Sequence, residues 1–285
     1  SGKGLAYPFN LPEPFASQLL AVEEESNKQV AAMCVKLNEF LQRIDAGFTL
    51  DLAWIKKEFT QGSLRERHLA RALRIKLFEY CKGDLVKIDL LLKEIFGGKS
   101  IASLENESRA NLLKKGGEAY VAEHPDAFLP LQSVCDIIIA AGGIPTYPFL
   151  ADNEKGEYTD FENNLERVTK QLTERGFHSV EFITTRNDIN LLEKYAGYLH
   201  EKGFVVTFGS EHNTPQMEPI VLYARHNKQL TERLKQINFE GACVIAAHQH
   251  LVSQGLEGYI DSSGYADRTK RKEFIELGES LIKSV

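Results

Sequence analysis

Between residues 121 and 237 the chain alternates short apolar strands with amphipathic helices, and this alternation limits its folds more than any other feature. Ile144–Tyr147 reads as a strand stopped by Pro148. Phe161–Arg175 follows as an amphipathic helix ended by Gly176, then Ser179–Thr184 as a strand. Ile189–Glu201 is a helix and Phe204–Phe208 a strand. Strand–helix–strand repeats with short loops imply parallel strands covered by helices, an α/β arrangement. Three strands are too few to close a barrel or complete a sheet. Partner strands are therefore expected either inside regions that read as helical or outside this chain. Unpaired apolar edges would favour pairing of two copies, so a homodimer is expected.

The texture changes near residue 120, which suggests a mostly helical segment at 1–120 and an α/β portion with carboxy-terminal helices at 121–285. Ala16–Gln42 carries Leu19, Val22, Val30, Met33, Leu37 and Leu41 at helical spacing between charges. Thr49 is placed to cap a short helix through Phe59, with Asp51 in its first turn. Ser63 is placed to cap Leu64–Tyr80. Asp84–Phe96 and Ser100–Lys115 read as further helices, each ended by a Gly pair. Leu131–Ala141 is an apolar helix closed by Gly142-Gly143. Beyond residue 217, Pro219–Gln236, Phe239–Gln254 and Arg268–Lys283 read as three helices. Asp152–Gly156 and Gly258–Asp267 read as exposed loops.

The balance of charge narrows the functional classes. A net charge of −6 over 285 residues argues against unspecific binding to nucleic acid or to an anionic membrane. No apolar run is long enough to span a bilayer, and the first residues lack the layout of a signal peptide. Cys34, Cys81, Cys135 and Cys243 lie far apart in apolar contexts, without a C-x-x-C pair. They read as reduced core residues of a cytoplasmic protein.

Candidate chemistry gathers at strand ends, where α/β folds collect ligands. The strand ending at Phe208 runs into Gly209-Ser210-Glu211-His212-Asn213-Thr214-Pro215. Glu211 and His212 are donor types that divalent metals take, although a polar structural loop has the same composition. Tyr147 ends one strand and Arg186-Asn187 follows another; all three suit ligand contact, or packing and a turn. In Gly62-Ser63-Leu64-Arg65-Glu66-Arg67-His68, the spacing puts His68 on the apolar face of its helix, as a core residue or a ligand. Arg65 and Arg67 beside it suit a phosphate or plain solvent exposure. His248 and His250, two apart on a helix, do not share a face and make a poor metal pair; His248 is expected inward and His250 outward.

Taken in order, these segments resemble the PHP (polymerase and histidinol phosphatase) family over roughly residues 25–215. Gly62–Leu73 is similar to that family's motif of Gly, Arg, a metal-binding His, Ala and Leu, preceded by lead-in helices at Lys28–Phe40 and Leu50–Phe59. Ala140–Pro148 is similar to its helix–Gly-Gly–strand ending in Ala-His-Pro, with Tyr147 where the His would stand. Gly176–Thr184 is similar to the next helix-to-strand step, with its Glu at 181. Phe204–Thr214 is similar to the strand that closes on Gly-Ser-Asp-x-His, with Glu211 for Asp and Asn213 where the second His would fall.

The resemblance implies a partial, distorted (β/α)7 TIM-like barrel with a helical insertion. It implies metal-dependent hydrolysis of a small-molecule phosphoester with zinc, manganese or iron. The metal candidates are His68, Glu211 and His212; the substrate candidates are Arg65, Arg67, Tyr147, Arg186 and Asn213. The family's opening His-x-His and Thr-Asp-His strands have no counterpart here. The expectation is thus a carboxy-terminal portion of a longer PHP-like protein, inactive by itself. The rival expectation is a non-catalytic PHP-like scaffold that binds a partner or small molecule, favoured by Tyr147 and Asn213. A third expectation treats 16–120 as an interaction module joined to an α/β unit.

Overall fold

The structure, a computed structural model, describes residues 1–98, 103–153, 155–210 and 220–284. It divides into two compact units: a helical unit of Glu13–Leu129, and an α/β unit of Ser1–Pro12 with Pro130–Val285.

The helical unit contains α1 (Phe15–Arg43), α2 (Leu52–Phe59), α3 (Glu66–Cys81), α4 (Leu85–Phe96) and α5 (Leu104–Ser108), which runs on into a π-helical turn at Arg109–Leu113. The apolar stripe of α1 (Val30, Met33, Cys34, Leu37, Leu41) meets Leu69, Ala70, Leu73 and Leu77 of α3 in one core. Burying each large aliphatic residue contributes about 1.5–3 kcal/mol before chain entropy is charged against it. Asp51, not Thr49, caps α2: its Oδ1 accepts from the Ala53 and Trp54 amides at 2.8 and 3.3 Å. Ser63 is no cap either, because α3 begins two residues later than its spacing suggests, with Arg65 at the N-cap. The segment around 120 stays with this unit, since Gln29 and Lys36 of α1 hold the Val121 and Tyr120 carbonyls.

The α/β unit holds a four-stranded sheet of β1 (Gly2–Lys3), β2 (Ile144–Phe149), β3 (Ser179–Ile183) and β4 (Val205–Gly209), in that order. The strands β2, β3 and β4 are parallel, as the alternation implies, and curl into a half-barrel. The strand β1 is an antiparallel addition on β2, pairing Gly2 with Pro145 and Lys3 with Ile144. Two residues carry no periodicity, so sequence pattern could not reveal it.

One face of the sheet bears Phe149, Val180, Phe182, Val206 and Phe208, packed under α7 (Leu165–Glu174) and α8 (Ile189–Glu201). On the other face, Ile144 and Val205 pack with Val244 and Ala247 of α9 (Glu232–Ser253) and Phe274 of α10 (Arg271–Lys283). This second face is also polar: Thr146 donates to Ser179 at 3.0 Å, and Lys3 pairs with Glu181.

The outer edge of β4 is covered by α9 rather than left open. Asn238 of α9 accepts from the Phe208 amide at 2.7 Å. A Cβ on Gly241 would lie 2.1 Å from the Val206 carbonyl oxygen, so only glycine lets the helix lie on the strand. Gly278 does the same for α10 against the Cys243 backbone.

Two helical expectations give way here. Residues 220–230 do not form a helix: Tyr223–Ala224 and Lys228–Gln229 form a hairpin, β5 and β6. His226 and Asn227 at its turn both have positive φ, which no helix accommodates. Thr231 then caps α9, which runs unbroken from Glu232 through Ser253 instead of as two helices. The loop at 258–267 is not simply exposed, because Tyr259, Ile260 and Ala266 are buried. All four cysteines are buried and free. No helix among the described residues is long and apolar enough to cross a membrane.

Candidate functional site

The carboxyl ends of β2 and β3 open onto a pocket of about 540 Å³. One wall is the loop after β2, the other the helical turn Thr184–Arg186 after β3. The loop after β2 folds back on itself through a bridge between Asp152 and Tyr158. Asn153 closes its tip, accepting from the Lys155 and Glu157 amides at 2.9 and 3.0 Å. Asp152 is therefore not part of a wholly exposed loop; it is buried.

Two buried polar side chains, Glu162 and Asn187, and the half-buried Arg225 clamp this loop from behind. Glu162 accepts from the Leu150 and Ala151 amides at 3.1 and 2.7 Å and from the Tyr147 hydroxyl at 2.9 Å. Asn187, fully buried, donates to the carbonyls of Leu150 and Asp152 and to the Asp152 carboxylate at 3.0 Å. Arg225 pairs with the other oxygen of Asp152 at 2.9 Å and donates to the Arg186 carbonyl at 2.8 Å. A buried ion pair is costly unless its remaining hydrogen bonds are made, and Asn187 and the Arg186 carbonyl make them here. The clamp holds Ala151 at φ 54, a left-handed conformation rare for a residue with a side chain. Strain of this kind persists only where surrounding groups over-determine it, and it gathers at ligand sites.

Of the sequence candidates, Tyr147 and Arg186 are in this unit. Tyr147 packs among the rings of Phe149, Phe161 and Phe177 on the helix-covered face. Burial and then the Glu162 carboxylate push its phenol well above the usual range. It is a donor fixed on Glu162, not a hand offered to a ligand. Arg186 is exposed on the pocket wall.

His68, Arg65 and Arg67 belong to the helical unit. His68 is half-buried at the start of α3 instead of set in its apolar face, and its Nδ1 accepts from the Arg65 amide at 3.1 Å. A neutral imidazole accepting at Nδ1 carries its proton on Nε2, so in this geometry His68 presents a donor and not a metal ligand. Burial and then Arg67 lower its pKa, which keeps it neutral. Arg65 donates to Ser26 Oγ at 3.0 Å, while Arg67 is exposed. Glu211, His212 and Asn213 lie outside the described residues.

Among the described residues no group of three or more His, Cys, Asp and Glu is placed to hold a metal ion. His248 is buried, as expected: Nδ1 accepts from the Tyr259 amide and Nε2 bonds the Gly142 carbonyl, both at 2.9 Å. Glu162, Asp152 and Arg225 carried no signal in the sequence. Their partners lie 11 to 73 residues away, and no motif spacing links them. The sequence matches no protein-family model and no curated protein.

Proposed function

We propose that the α/β unit is a PHP-like scaffold, part of a TIM-like barrel, that binds a small phosphorylated molecule at the carboxyl ends of its strands. The pocket between the loops after β2 and β3 carries this reading. Its walls are pre-set by Glu162, Asn187 and Arg225, so a ligand would not have to order them. Arg186 on the wall is the side chain suited to a phosphate, which guanidinium recognises with two parallel hydrogen bonds. The metal-dependent phosphoesterase reading rests on the resemblance at Gly62–Leu73 and Phe204–Thr214. It is the weaker of the two, because His68 Nδ1 is engaged by the Arg65 amide at the start of α3.

The test is calorimetric titration of the chain with p-nitrophenyl phosphate, alongside a hydrolysis assay with and without manganese. The expected result is saturable binding, weakened about tenfold by Arg186→Ala, with no turnover. Absence of binding at millimolar ester would overturn the proposal. Manganese-dependent release of nitrophenol would restore the hydrolase in its place.

A further inference from the structure

The pocket is not built for an anion alone. Among the described residues its charged lining is Asp152, Glu157 and Arg186. Arg225 offsets Asp152 through their 2.9 Å contact, which leaves one carboxylate, Glu157, and one guanidinium, Arg186, among the described charged lining residues. A phosphate placed beside Glu157 would meet a like charge, and like charges at close range in a partly desolvated site repel. Only the Arg186 side suits it.

The remainder of the lining has a different chemistry. Tyr158 is 42% exposed, and its ring is stacked on Tyr195 at 5.9 Å with 21° between planes. The ring is thus held in place by packing on Tyr195. Leu150, 48% exposed, adds a second apolar surface on the lining. Around these stand the hydroxyl of Thr185 and the carboxylate of Glu157. Apolar ring contact combined with hydroxyl, carboxylate and guanidinium groups recognises a molecule with one apolar face and a rim of hydroxyls. The volume lies within the roughly 300–1,000 Å³ of small-molecule sites, ample for one sugar ring.

We propose that the pocket seats an uncharged, ring-shaped polyol against Tyr158, with any phosphate of the ligand directed to Arg186: the ligand is a sugar phosphate. This inference rests on the phosphorylated-ligand reading above.

The experiment titrates the full chain with three sets of probes: inorganic phosphate, a panel of neutral sugars (glucose, galactose, mannose, ribose), and the phosphates of those sugars. At least one sugar phosphate should bind about tenfold more tightly than inorganic phosphate. Its neutral parent should bind saturably, though more weakly. Tyr158→Ala should weaken both members of that pair, whereas Arg186→Ala should weaken the sugar phosphate and leave the neutral sugar unchanged. Tyr158→Leu, which retains bulk against Tyr195, serves if the alanine variant unfolds and should show the same loss. If inorganic phosphate binds as tightly as every sugar phosphate and neither Tyr158 variant changes affinity, the polyol inference is overturned while the phosphate reading stands. If none of the probes binds, both fall.

Discussion

In the helical unit Ser26 and Ser108 are the only buried polar residues among those described, whereas the α/β unit buries nine, including Asp152, Glu162, Asn187 and His248. Both units have apolar cores, one cluster in the helical unit and one on each face of the sheet in the α/β unit. The helical unit directs most of its polar side chains to caps and surface pairs, as with Asp51, Asp84 and the Arg43–Glu118 pair. The α/β unit spends desolvation energy on carboxylates and amides, each of which must find partners inside. A chain needs no buried Glu to hold two helical layers to a sheet. Asp152, Glu162 and Asn187, the buried carboxylates and amide, stand behind one loop at the carboxyl ends of the strands, where they set a backbone shape that apolar packing could not specify. The contrast therefore marks where function is to be sought.

The largest expected effect tests that contrast directly. Glu162→Ala would leave the Leu150 and Ala151 amides and the Tyr147 hydroxyl without their acceptor. Each orphaned buried group costs about 1–3 kcal/mol, so the total should reach about 3 kcal/mol or more. Ser26→Ala, which removes a buried hydroxyl that donates to the Leu64 carbonyl and accepts from the exposed Arg65, should cost about 1 kcal/mol. Hydrogen exchange at Leu150 and Ala151, with urea denaturation of each variant, measures both. Equal losses in the two variants would remove the distinction between the units.

The helices, the parallel strands and the helical-then-α/β order were legible because they rest on local periodicity. Val205–Gly209 and Ile189–Glu201 fall within a residue of their expected bounds. The exceptions have physical causes. The strand β1 is too short to have a period, and the β5–β6 hairpin turns on left-handed His226 and Asn227. The helix α9 runs through the gap expected between Gln236 and Phe239, and its Asn238 accepts from the Phe208 amide. The site was less legible. Arg186 and Asn187 were placed correctly past a strand end, yet their roles differ: one stands on the pocket wall and the other is buried in the clamp. Asp152 and Glu162 resemble ordinary loop carboxylates until the fold brings Arg225, Asn187 and the Leu150–Ala151 amides to them.

A smaller effect concerns acid. Burial lowers the pKa of both His248 and His178 in the α/β unit. A histidine whose folded pKa lies below its unfolded value of 6.5 binds its proton more readily when unfolded. Its stabilising contribution is therefore complete above pH 6.5 and is lost as pH falls through the folded pKa. The α/β unit should lose stability on acidification below pH 6.5, and His248→Gln should flatten that slope while lowering stability at neutral pH. Amide exchange in α9 measured from pH 7 down to pH 5 follows it. His68 is also depressed but only half-buried, so α3 should respond less. A steeper acid response in α3 than in α9 would mean that buried imidazole does not separate the units.

The smallest effect isolates a single cap. Asp51 accepts from the Ala53 and Trp54 amides at the start of α2 and is itself exposed. Asp51→Ala should cost about 1 kcal/mol, the usual loss on removing an N-cap. Asp51→Asn retains an accepting oxygen and should recover most of that loss; what it fails to recover measures the charge acting on the helix dipole. Salt separates the two contributions, since 1 M salt screens the charge and leaves the hydrogen bond. Urea denaturation with exchange at Ala53 and Trp54 reads the result. A loss at Asp51 as large as that at Glu162 would mean that an exposed cap constrains its loop as firmly as a buried clamp, and the count of buried polar groups would then no longer point to the site.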